Sequence, residues 1–550
     1  MFIHSSRPLL RSFQDLAEST FDLLILGGGI YGTWVARDAA SRGLKVALIE
    51  KGDWASGTSS ASSKLIHGGL RYLENYEFGL VRKTLKERKL LADLAPHRSW
   101  PLDFLLPIYR GGRLKRWPLK AGLLLYDLLA GRGQPVASHA YWSKKRILKQ
   151  SPFLRSEALL GGFRYGDCGT DDARFCLEIV AGAIQAGAVA VSYVEGLSLL
   201  RGRGNGVVEG ALVQDQISGQ KAEVRARQIL LTTGAYAEAF LQRQLPGGAV
   251  PTKARTRFTK GIHLVMPALG GEEAHLLTAP KDGRVFFFIP WYGRTLVGTT
   301  DTAWSGDPDH LQVQEEDVDY LLKAANSFLE DQPWGRSDVL GSFAGLRTLQ
   351  NQEGLAPSEI SREWTLQQIE PGLWLPIGGK FTSARVEAAE MVDAIANAEG
   401  RAVGNSQTHR QAFPWTPEDG FEPWQAAQQK IGRGLGLDSI VIENCVRRYG
   451  KRVDGIWKLI QRRPALGARF HPDLPFVKAE FLYCAKEEMV VNLVDLIRRR
   501  IPVSILAPLE ESFLREAADL AGEALGWDSS QRIHQMKLAE SGPEYWRSGA

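Results

Sequence analysis

The chain has 550 residues, of which 44% are hydrophobic and 23% are charged, and its formal net charge is +5. This composition excludes a largely disordered chain, and the length allows about two or three domains. No apolar run reaches the roughly 18–20 residues that span a bilayer, and the N-terminal residues carry no secretory signal pattern. The four cysteines form no CxxC pair, so we expect a reducing compartment and neither a metal site nor a disulfide framework.

A nucleotide-binding turn is predicted at the end of the first strand-like run. The sequence FDLLILGGGIYGTWVARDAASRGLKVALIEK reads as strand, glycine turn, helix and strand, and the second strand ends in Glu50. In the GxGxxG turn, Gly27 permits the sharp bend, Gly29 lets the backbone approach a pyrophosphate, and Gly32 lets helix and strand pack closely. The helix N-terminus offers free N–H groups to phosphate, and Glu50 can accept hydrogen bonds from both ribose hydroxyls of an adenosine. Glu50 favours a cofactor whose ribose 2′-hydroxyl is free, and therefore FAD or NAD over NADP.

A strongly basic segment follows. Residues 82–149 contain sixteen Lys or Arg and four Asp or Glu, a local charge of +12 against −7 in the rest of the chain. Within it, Leu119–Ala130 is an almost continuous apolar stretch beside Trp117 and several cations. The pattern is typical of a helix on an anionic membrane surface, and equally of a core helix next to a solvated basic loop. Nucleic acid is not expected as a partner, because no recognised binding module is present.

Short strands and turns dominate the middle of the chain. Residues 206–236 predict an antiparallel meander that returns to the parallel sheet. The meander ends at Gly234, which either lays backbone against the dinucleotide or is a plain exit from the strand. Strand-like runs at Thr259–Met266, Arg284–Ile289 and Thr295–Thr299 then predict a second, mostly antiparallel sheet stacked against the nucleotide domain.

The last third of the chain begins with a second strand–glycine–helix transition. LPIGGKFT at Leu375–Thr382 precedes a helix-like run, so its helix start is also suited to an anion. From about Glu418 onward the pattern is helical. In residues 479–500, apolar side chains recur at three- and four-residue steps, and Arg498–Arg500 fall in the last turn, where cations suit the helix dipole.

The segment GTSSASSKLIHGGLRYLENYEF resembles the FAD-dependent glycerol-3-phosphate dehydrogenases, which belong to the D-amino-acid-oxidase-like flavoproteins. The resemblance extends over roughly residues 20–530, and the C-terminal helical part resembles the accessory domain of that family. Its further motifs are YGDCGTDDARF (Tyr165–Phe175), TKGIHLV (Thr259–Val265), FFFIPWYGRTLVGTTD (Phe286–Asp301), AGLRTL (Ala344–Leu349), ISREWTL (Ile360–Leu366) and IGGKFTSAR (Ile377–Arg385). It implies oxidation of sn-glycerol 3-phosphate to dihydroxyacetone phosphate, with electrons passed to a quinone.

The resemblance also implies which residues contact the substrate. The catalytic set is His263, Arg347 and Lys380, and the substrate-binding set is Arg71, Tyr72 and Arg362. An imidazole that titrates near neutral pH suits proton acceptance, and cations suit a phosphate group. A histidine that only bonds the backbone is the alternative for His263, and His67 is its rival as the proton acceptor.

FAD is the implied cofactor, held non-covalently, because no cysteine is among the positions matched to flavin contacts. Its implied contacts lie in the glycine turn, the serine-rich segment and the second glycine–helix transition: Gly27, Gly29, Gly32, Glu50, Ser59, Ser60, Ser62, Ser63, Lys64, His67, Gly234, Gly379, Lys380, Phe381 and Thr382.

The chain departs from the family pattern at two places near the expected pocket. Thr348 stands where the family commonly has proline, and FTSAR, with Ser383 and Ala384, stands where it commonly has LTTYR. These departures support one alternative, a flavin-binding membrane-surface protein without activity. Two others stay open on different grounds: an oxidase that uses dioxygen on the same substrate, because oxygen access depends on pocket shape, and an amine or amino-acid oxidase of the same fold, because one arginine could serve a carboxylate.

The expected fold class is α/β, with a Rossmann-type FAD-binding domain, an antiparallel-sheet substrate domain and a C-terminal all-helical domain. The expected boundaries are a loosely ordered extension at 1–20, the FAD domain at 21–250 with the basic segment inserted, the substrate domain at 251–375, a return to the FAD domain at 376–405, and the helical domain at 406–550. The expected location is cytoplasmic, peripheral on the inner face of the cell membrane, and a homodimer is allowed.

Overall fold

The computed structural model describes residues 8–202, 206–351 and 363–541. Within these ranges the strands are β1 (Thr20–Leu26), β2 (Val46–Glu50), β3 (Leu65–Ile66), β4 (Ser99–Tyr109), β5 (Ala140–Ser143), β6 (Leu159–Thr170), β7 (Val189–Ser192), β8 (Val194–Arg201), β9 (Val208–Asp215), β10 (Lys221–Leu231), β11 (Thr256–Pro267), β12 (Ala274–Thr278), β13 (Val285–Trp291), β14 (Arg294–Gly298), β15 (Thr302–Trp304), β16 (Gly341–Gln350), β17 (Thr365–Glu370) and β18 (Leu373–Ile377).

The α-helices of the same ranges are α1 (Phe13–Ala17), α2 (Ile30–Ser41), α3 (Phe78–Leu94), α4 (Arg116–Ala130), α5 (Lys144–Gln150), α6 (Asp172–Gln185), α7 (Ala237–Gln244), α8 (Glu315–Asn326), α9 (Ala384–Ala398), α10 (Phe421–Gly434), α11 (Ser439–Tyr449), α12 (Val453–Arg462), α13 (Lys478–Glu487), α14 (Val503–Leu506), α15 (Glu511–Leu525) and α16 (Ser529–Glu540).

The first sheet is a parallel layer with an antiparallel flank. Its order is β17-β18-β10-β1-β2-β7, with β9 on β10 and β8 on β9. The strands from β18 to β7 are parallel, whereas β17, β9 and β8 join antiparallel. All five residues of β2 are buried, as expected for a strand covered on both faces. Helices α2, α6 and α9 cover one face around Trp34 and Phe175, so the predicted βαβ unit and meander are both present.

The sequence predicts a loosely ordered extension over residues 1–20. Residues 1–7 lie outside the described residues, and for residues 8–20 the structure corrects this prediction. Phe13 and Leu16 of α1 are buried in the core on the other face of the first sheet. The Leu9 N–H donates to the carbonyl of Glu487 at 2.9 Å, which ties this segment to the C-terminal helices. The apolar residues of the segment therefore pack against both domains.

Over the described part of the chain, the second sheet has ten strands in the order β15-β11-β14-β13-β12-β4-β6-β3, with β16 on β11 and β5 on β6. Its pairings are antiparallel except between β12 and β4. The structure therefore places β3–β6 in the substrate sheet rather than in the expected FAD domain, and β17 in the first sheet rather than in the substrate domain. The sequence pattern marks strands but does not identify their partners, which explains both differences.

Helices α10–α16 form the C-terminal domain and share one core with the second sheet. Trp457 and Phe476 belong to the same buried cluster as Phe343 and Trp291. The predicted amphipathic helix over residues 479–500 is not continuous. Helix α13 ends at Glu487, Met489 has φ +53°, and a π-helical turn covers Asp495–Arg500.

Buried ion pairs join the C-terminal domain to the FAD domain, and they explain this break. Arg174 of α6 pairs with Glu488, and Arg500 lies 2.7 Å from Asp53, with all four side chains buried. Burial alone would raise the pKa of Glu488, but the charges of Arg174 and Arg452 lower it to about 2. The turn at Met489 thus directs charged side chains into the interface instead of along one helix face.

We expect Glu488→Gln to lower the free energy of unfolding by about 3–5 kcal/mol, because Arg174 would keep its charge without a buried counter-ion. Urea denaturation measures this loss. Glu523→Gln, in an exposed pair 2.9 Å from Arg463, is the matched control and should cost at most about 1 kcal/mol. The difference should shrink as the pH falls from about 4.5 towards 2, because Glu488 then takes up a proton in the unfolded chain while the native carboxylate stays charged, so falling pH favours unfolding of the parent. Equal losses in the two variants would contradict a stabilising role for the buried pair.

Candidate active site

Two adjoining cavities lie where the two sheets meet, with volumes of about 400 and about 320 Å³. They share a wall made of Gly29, Thr58, Ser59, Thr232, Gly234, Gly345 and Leu346. The first extends along the carboxyl ends of β1, β2 and β10, the usual place for a nucleotide in a parallel sheet. The second opens towards β11 and β16. Together they suit an elongated ligand with two chemically different halves.

The predicted glycine turn leaves no room for side chains. Gly27 has φ +111°, and a Cβ there would lie 2.6 Å from the carbonyl oxygen of Thr232. A Cβ on Gly32 would lie only 1.9 Å from the carbonyl oxygen of Gly27, so Gly32 serves packing and lines neither cavity. Gly29 caps α2 and lines both cavities, and the N–H of Ile30 donates to Ser59 Oγ at 2.9 Å. The helix N-terminus therefore faces the shared wall.

Glu50 holds the same turn in place. Its carboxylate accepts the N–H of Gly28 at 2.6 Å and that of Gly52 at 2.9 Å. Burial raises the pKa of Glu50, and these two N–H groups oppose the rise. A carboxylate has about four acceptor positions, so Glu50, which lines the first cavity, retains capacity for ribose hydroxyls.

The serine-rich segment separates into lining and supporting residues. Ser59, Ser62 and Ser63 line the second cavity. Ser60 and Lys64, expected to contact FAD, line neither cavity. Lys64 is buried, and its Nζ donates to Asp172 Oδ1 at 2.7 Å and to the carbonyl of Ser60 at 2.6 Å. The structure thus gives Lys64 a supporting position, outside the lining of both cavities.

His263 is buried in β11 and faces the second cavity. Its Nε2 lies 3.0 Å from Ser63 Oγ, its Nδ1 has no hydrogen-bond partner among the described residues, and its ring stacks on Phe343 at 4.9 Å. Burial lowers its pKa well below 6.5, and the charges of Lys64 and Arg347 lower it further. The imidazole is therefore neutral at neutral pH and able to accept a proton.

Cationic side chains line the same cavity. Arg347 of β16 donates to Thr299 Oγ1 at 2.9 Å and lies 3.2 Å from Asp301 Oδ1. Lys380 Nζ lies 4.4 Å from the ring centroid of Tyr72, and both side chains line the cavity. Thr299 and Asp301 were missing from the residue-level predictions. The motif that contains them, Phe286–Asp301, is part of the family resemblance. The sequence does not show that the motif's strand β14 and the Arg347 strand β16 both pair with β11.

The remaining predicted contacts have mixed outcomes. The second cavity is also lined by His67, Gly234, Gly379, Phe381 and Thr382. His67 donates its N–H to Thr382 Oγ1 at 3.1 Å, and burial lowers the pKa of its imidazole. Arg71 lines neither cavity, and Arg362 lies outside the described residues.

A buried network that the sequence did not predict supports the loop at residues 67–72. Asp167 accepts the N–H of Gly68 at 3.1 Å, the hydroxyl of Tyr126 at 2.8 Å and a guanidinium N–H of Arg88 at 2.7 Å. Thr84 donates to the carbonyl of Gly68 at 2.9 Å. A charged residue inside a strand-like motif was the only sequence signal. The network fixes the loop that carries His67 and Tyr72.

The residues that line the two cavities fit FAD. The side-chain-free turn admits a pyrophosphate, Glu50 suits the ribose, and the second cavity has room for a flat ring beside His263. Among the described residues there is no group of three or more His, Cys, Asp or Glu side chains that could hold a metal ion. This fold and this cavity define the class of FAD-dependent oxidoreductases.

Comparison with known proteins supports the assignment to the FAD-dependent oxidoreductases. Residues 22–391 match the family of FAD dependent oxidoreductases, and residues 415–532 match the C-terminal domain of alpha-glycerophosphate oxidase. The glycerol-3-phosphate dehydrogenase of Synechocystis is 35% identical over 96% of this chain and 97% of its own length. The human mitochondrial glycerol-3-phosphate dehydrogenase is 34% identical over 97% of this chain and 74% of its length.

A solved structure gives the same answer. The glycerol-3-phosphate dehydrogenase from Bacillus halodurans, crystallised with FAD, is 26% identical, with a TM-score of 0.76 over 97% of this chain and 98% of that one. The chain therefore belongs to the glycerol-3-phosphate dehydrogenase family of FAD-dependent oxidoreductases. The family resemblance, the fold class and the FAD cofactor expected from the sequence are confirmed.

We expect Gly32→Ala to lose bound FAD, because its new methyl group would push the turn away from α2. We expect the affinity for FAD to fall by more than about tenfold. The ratio of flavin to protein absorbance in the purified protein measures the resulting loss of flavin content. Gly79→Ala on α3 is the matched control, because no atom lies within 4 Å of its Cβ position. Full flavin content in Gly32→Ala would contradict the role given to the turn.

Proposed function

We propose that this chain oxidises sn-glycerol 3-phosphate to dihydroxyacetone phosphate with FAD and passes the electrons to a quinone at a membrane surface. The observation that supports the site assignment is the second cavity, which brings neutral His263 together with Arg347 and Lys380. A neutral base removes a hydroxyl proton, and fixed cations hold a phosphate dianion. Amino-acid substrates need no second cation of this kind.

In the proposed reaction, bound FAD supplies the acceptor for the hydride that leaves C2 of the substrate. His263 receives the hydroxyl proton at Nε2. This ring nitrogen lies 3.0 Å from the Ser63 hydroxyl, and Ser63 lines the cavity that would hold the substrate, so Nε2 is the nitrogen on the substrate side. Arg347 and Lys380 bind the phosphate and so fix the position of C2. Tyr72 and His67 line the cavity and help to exclude water.

Substrate binding also prepares the base. The positive charge of Arg347 contributes to the lowered pKa of His263, after burial and Lys64. A phosphate dianion beside Arg347 offsets that charge, so the basicity of His263 rises when the substrate is in place. The proton acceptor thus becomes stronger only in the complex that needs it.

The test of the function is anaerobic reduction of the bound flavin. We expect glycerol 3-phosphate to bleach the visible flavin absorbance, and glycerol to do so only poorly. Arg347→Ala should raise the glycerol 3-phosphate concentration that gives half-maximal flavin reduction, by about ten- to a hundredfold. It should leave the reaction with glycerol nearly unchanged. Arg336→Ala, an exposed arginine in two ion pairs, is the control. A flavin that neither compound bleaches would refute the function, and hydrogen peroxide produced in step with substrate under air would favour the oxidase.

We expect His263→Gln to keep its FAD and to lose at least about a hundredfold in kcat, because an amide cannot accept the proton. Turnover with an artificial electron acceptor measures the loss independently of the quinone. In the parent, kcat/KM, corrected for the titration of the substrate phosphate, should stay flat between about pH 8 and about pH 6, since the lowered pKa of His263 keeps the imidazole of the free protein neutral there. His534→Gln, at an exposed position of α16, is the control. Equal kcat in both variants would exclude His263 as the base.

Helix α4 supports the membrane part of the proposal. The predicted stretch forms α4, which buries only Leu123 and Tyr126. Trp117 is 71% exposed and Leu128 is 76% exposed, and Lys120 lies on the same helix. Apolar side chains with neighbouring cations suit the boundary of an anionic bilayer, where quinones dissolve. Within the described ranges, no helix has both the length and the apolar character needed to cross a bilayer.

We expect the double variant Trp117→Glu, Leu128→Glu to bind vesicles that contain phosphatidylglycerol at least about tenfold more weakly than the parent. Each exposed side chain is worth about 1.5–3 kcal/mol when it is buried. Co-sedimentation with the vesicles measures the partitioning. Ile440→Glu, Ile533→Glu is the matched control, because both isoleucines are more than half exposed in the C-terminal domain. Equal partitioning of the two double variants would contradict docking through α4.

A further inference from the structure

The outer wall of the first cavity comes from the substrate domain. The connection between β15 and α8 contributes Pro308, Asp309, Leu311 and Val313 to the lining. The facing wall belongs to the FAD domain and includes Glu50, Lys51 and Tyr236. The mouth of this cavity therefore lies between two separately built parts of the chain.

Three side chains bridge the two walls. The hydroxyl of Tyr236 donates to Asp309 Oδ1 at 2.7 Å, and Lys51 Nζ lies 3.4 Å from the same oxygen. The Lys51 ammonium also lies 3.5 Å from the centroid of the Tyr236 ring, within the range of a cation–π contact. On the substrate-domain side, Asp307 accepts the N–H of Asp309 at 3.0 Å and fixes the turn. A single carboxylate oxygen thus joins both FAD-domain residues.

We propose that Lys51, Tyr236 and Asp309 form a clasp that closes over the adenosine half of FAD and sets the rate at which the cofactor enters and leaves. The proposal rests on the assignment of FAD to these cavities. The side chain of Lys51 is 45% exposed and that of Asp309 is 62% exposed. The clasp can therefore open by side-chain motion, without disturbing the core of either sheet.

The clasp differs from the residues that hold the cofactor. The glycine turn and Glu50 are part of the packed first sheet, and their geometry is fixed by backbone contacts. Exposed ion pairs and cation–π contacts are weak, which a gate requires, because a gate must open often. Lys51 directly follows Glu50, and Tyr236 lies two residues after Gly234, so the clasp residues sit beside expected cofactor contacts without having to be contacts themselves.

The experiment measures release of FAD from the intact holoenzyme and uptake of FAD by the full-length apoprotein. Release is followed by the rise of flavin fluorescence after dilution, and uptake by its fall when FAD is added to the apoprotein. Asp309→Ala and Tyr236→Phe should each raise both rate constants by about five- to tenfold and change Kd by no more than about twofold, because a gate alters the barrier rather than the bound state. Asp319→Ala on α8 removes another exposed ion-paired aspartate, in the pair with Arg336, and should change neither rate.

Salt provides a second measurement. Raising NaCl from about 0.05 to about 0.5 M should speed release from the parent, since it screens the pair between Lys51 and Asp309, and should not speed it from Asp309→Ala. Unchanged rates in both clasp variants would overturn the proposal. Faster release with unchanged uptake would also overturn it, because it would make these residues cofactor contacts rather than a gate. Flavin reduction by glycerol 3-phosphate is scored separately on fully loaded protein, so failure of the function and failure of the clasp are distinguishable.

Discussion

Close packing of the glycine turn against the end of β10 is the contact on which the site depends. The N–H of Thr232 donates to the carbonyl of Leu26 at 2.8 Å, and its hydroxyl donates to the carbonyl of Gly27 at 2.8 Å. This contact leaves no space for a side chain at Gly27 or Gly32. Thr232 is also part of the wall that the two cavities share. The same backbone contact therefore fixes the helix N-terminus of α2 and the boundary between the nucleotide half and the substrate half of the site.

The arginines of this chain that are named above differ in burial and in role. Arg174, Arg448 and Arg500 are buried, and each has carboxylate partners that join the C-terminal helices to the other domains. A buried charge without a counter-ion is costly, so these pairs hold the domains in one arrangement. Arg347 is one-quarter exposed at the cavity, where its neighbours Thr299 and Asp301 orient it towards the space that a substrate would occupy. The buried arginines stabilise the domain arrangement, whereas Arg347 is the residue proposed to bind the substrate phosphate.

Helix α4 connects the exterior of the molecule to the support of the active-site loop. Its outer face presents Trp117 and Leu128, and its inner face presents Tyr126, which donates to buried Asp167. Asp167 in turn holds the N–H of Gly68 in the loop that carries His67 and Tyr72. The element proposed to dock on a membrane is therefore also part of the scaffold of the substrate cavity, so its position and that of the loop are geometrically linked.

The sequence by itself determined the local features that depend on neighbouring residues: the glycine turn with Glu50, the antiparallel meander, the strands around His263 and the helical C-terminal part. The motif order also determined the family, because many short matches in one order are far more specific than any single match. Only the tertiary structure decided which strands share a sheet, so β3–β6 moved to the substrate sheet and residues 8–20 proved to be packed. It also paired Lys64 with Asp172 outside the lining of either cavity, and it showed the contacts of Asp167, Asp301 and Asp309. These outcomes depend on partners that lie from tens to several hundred residues away along the chain, and propensity and periodicity carry no information about such distant partners.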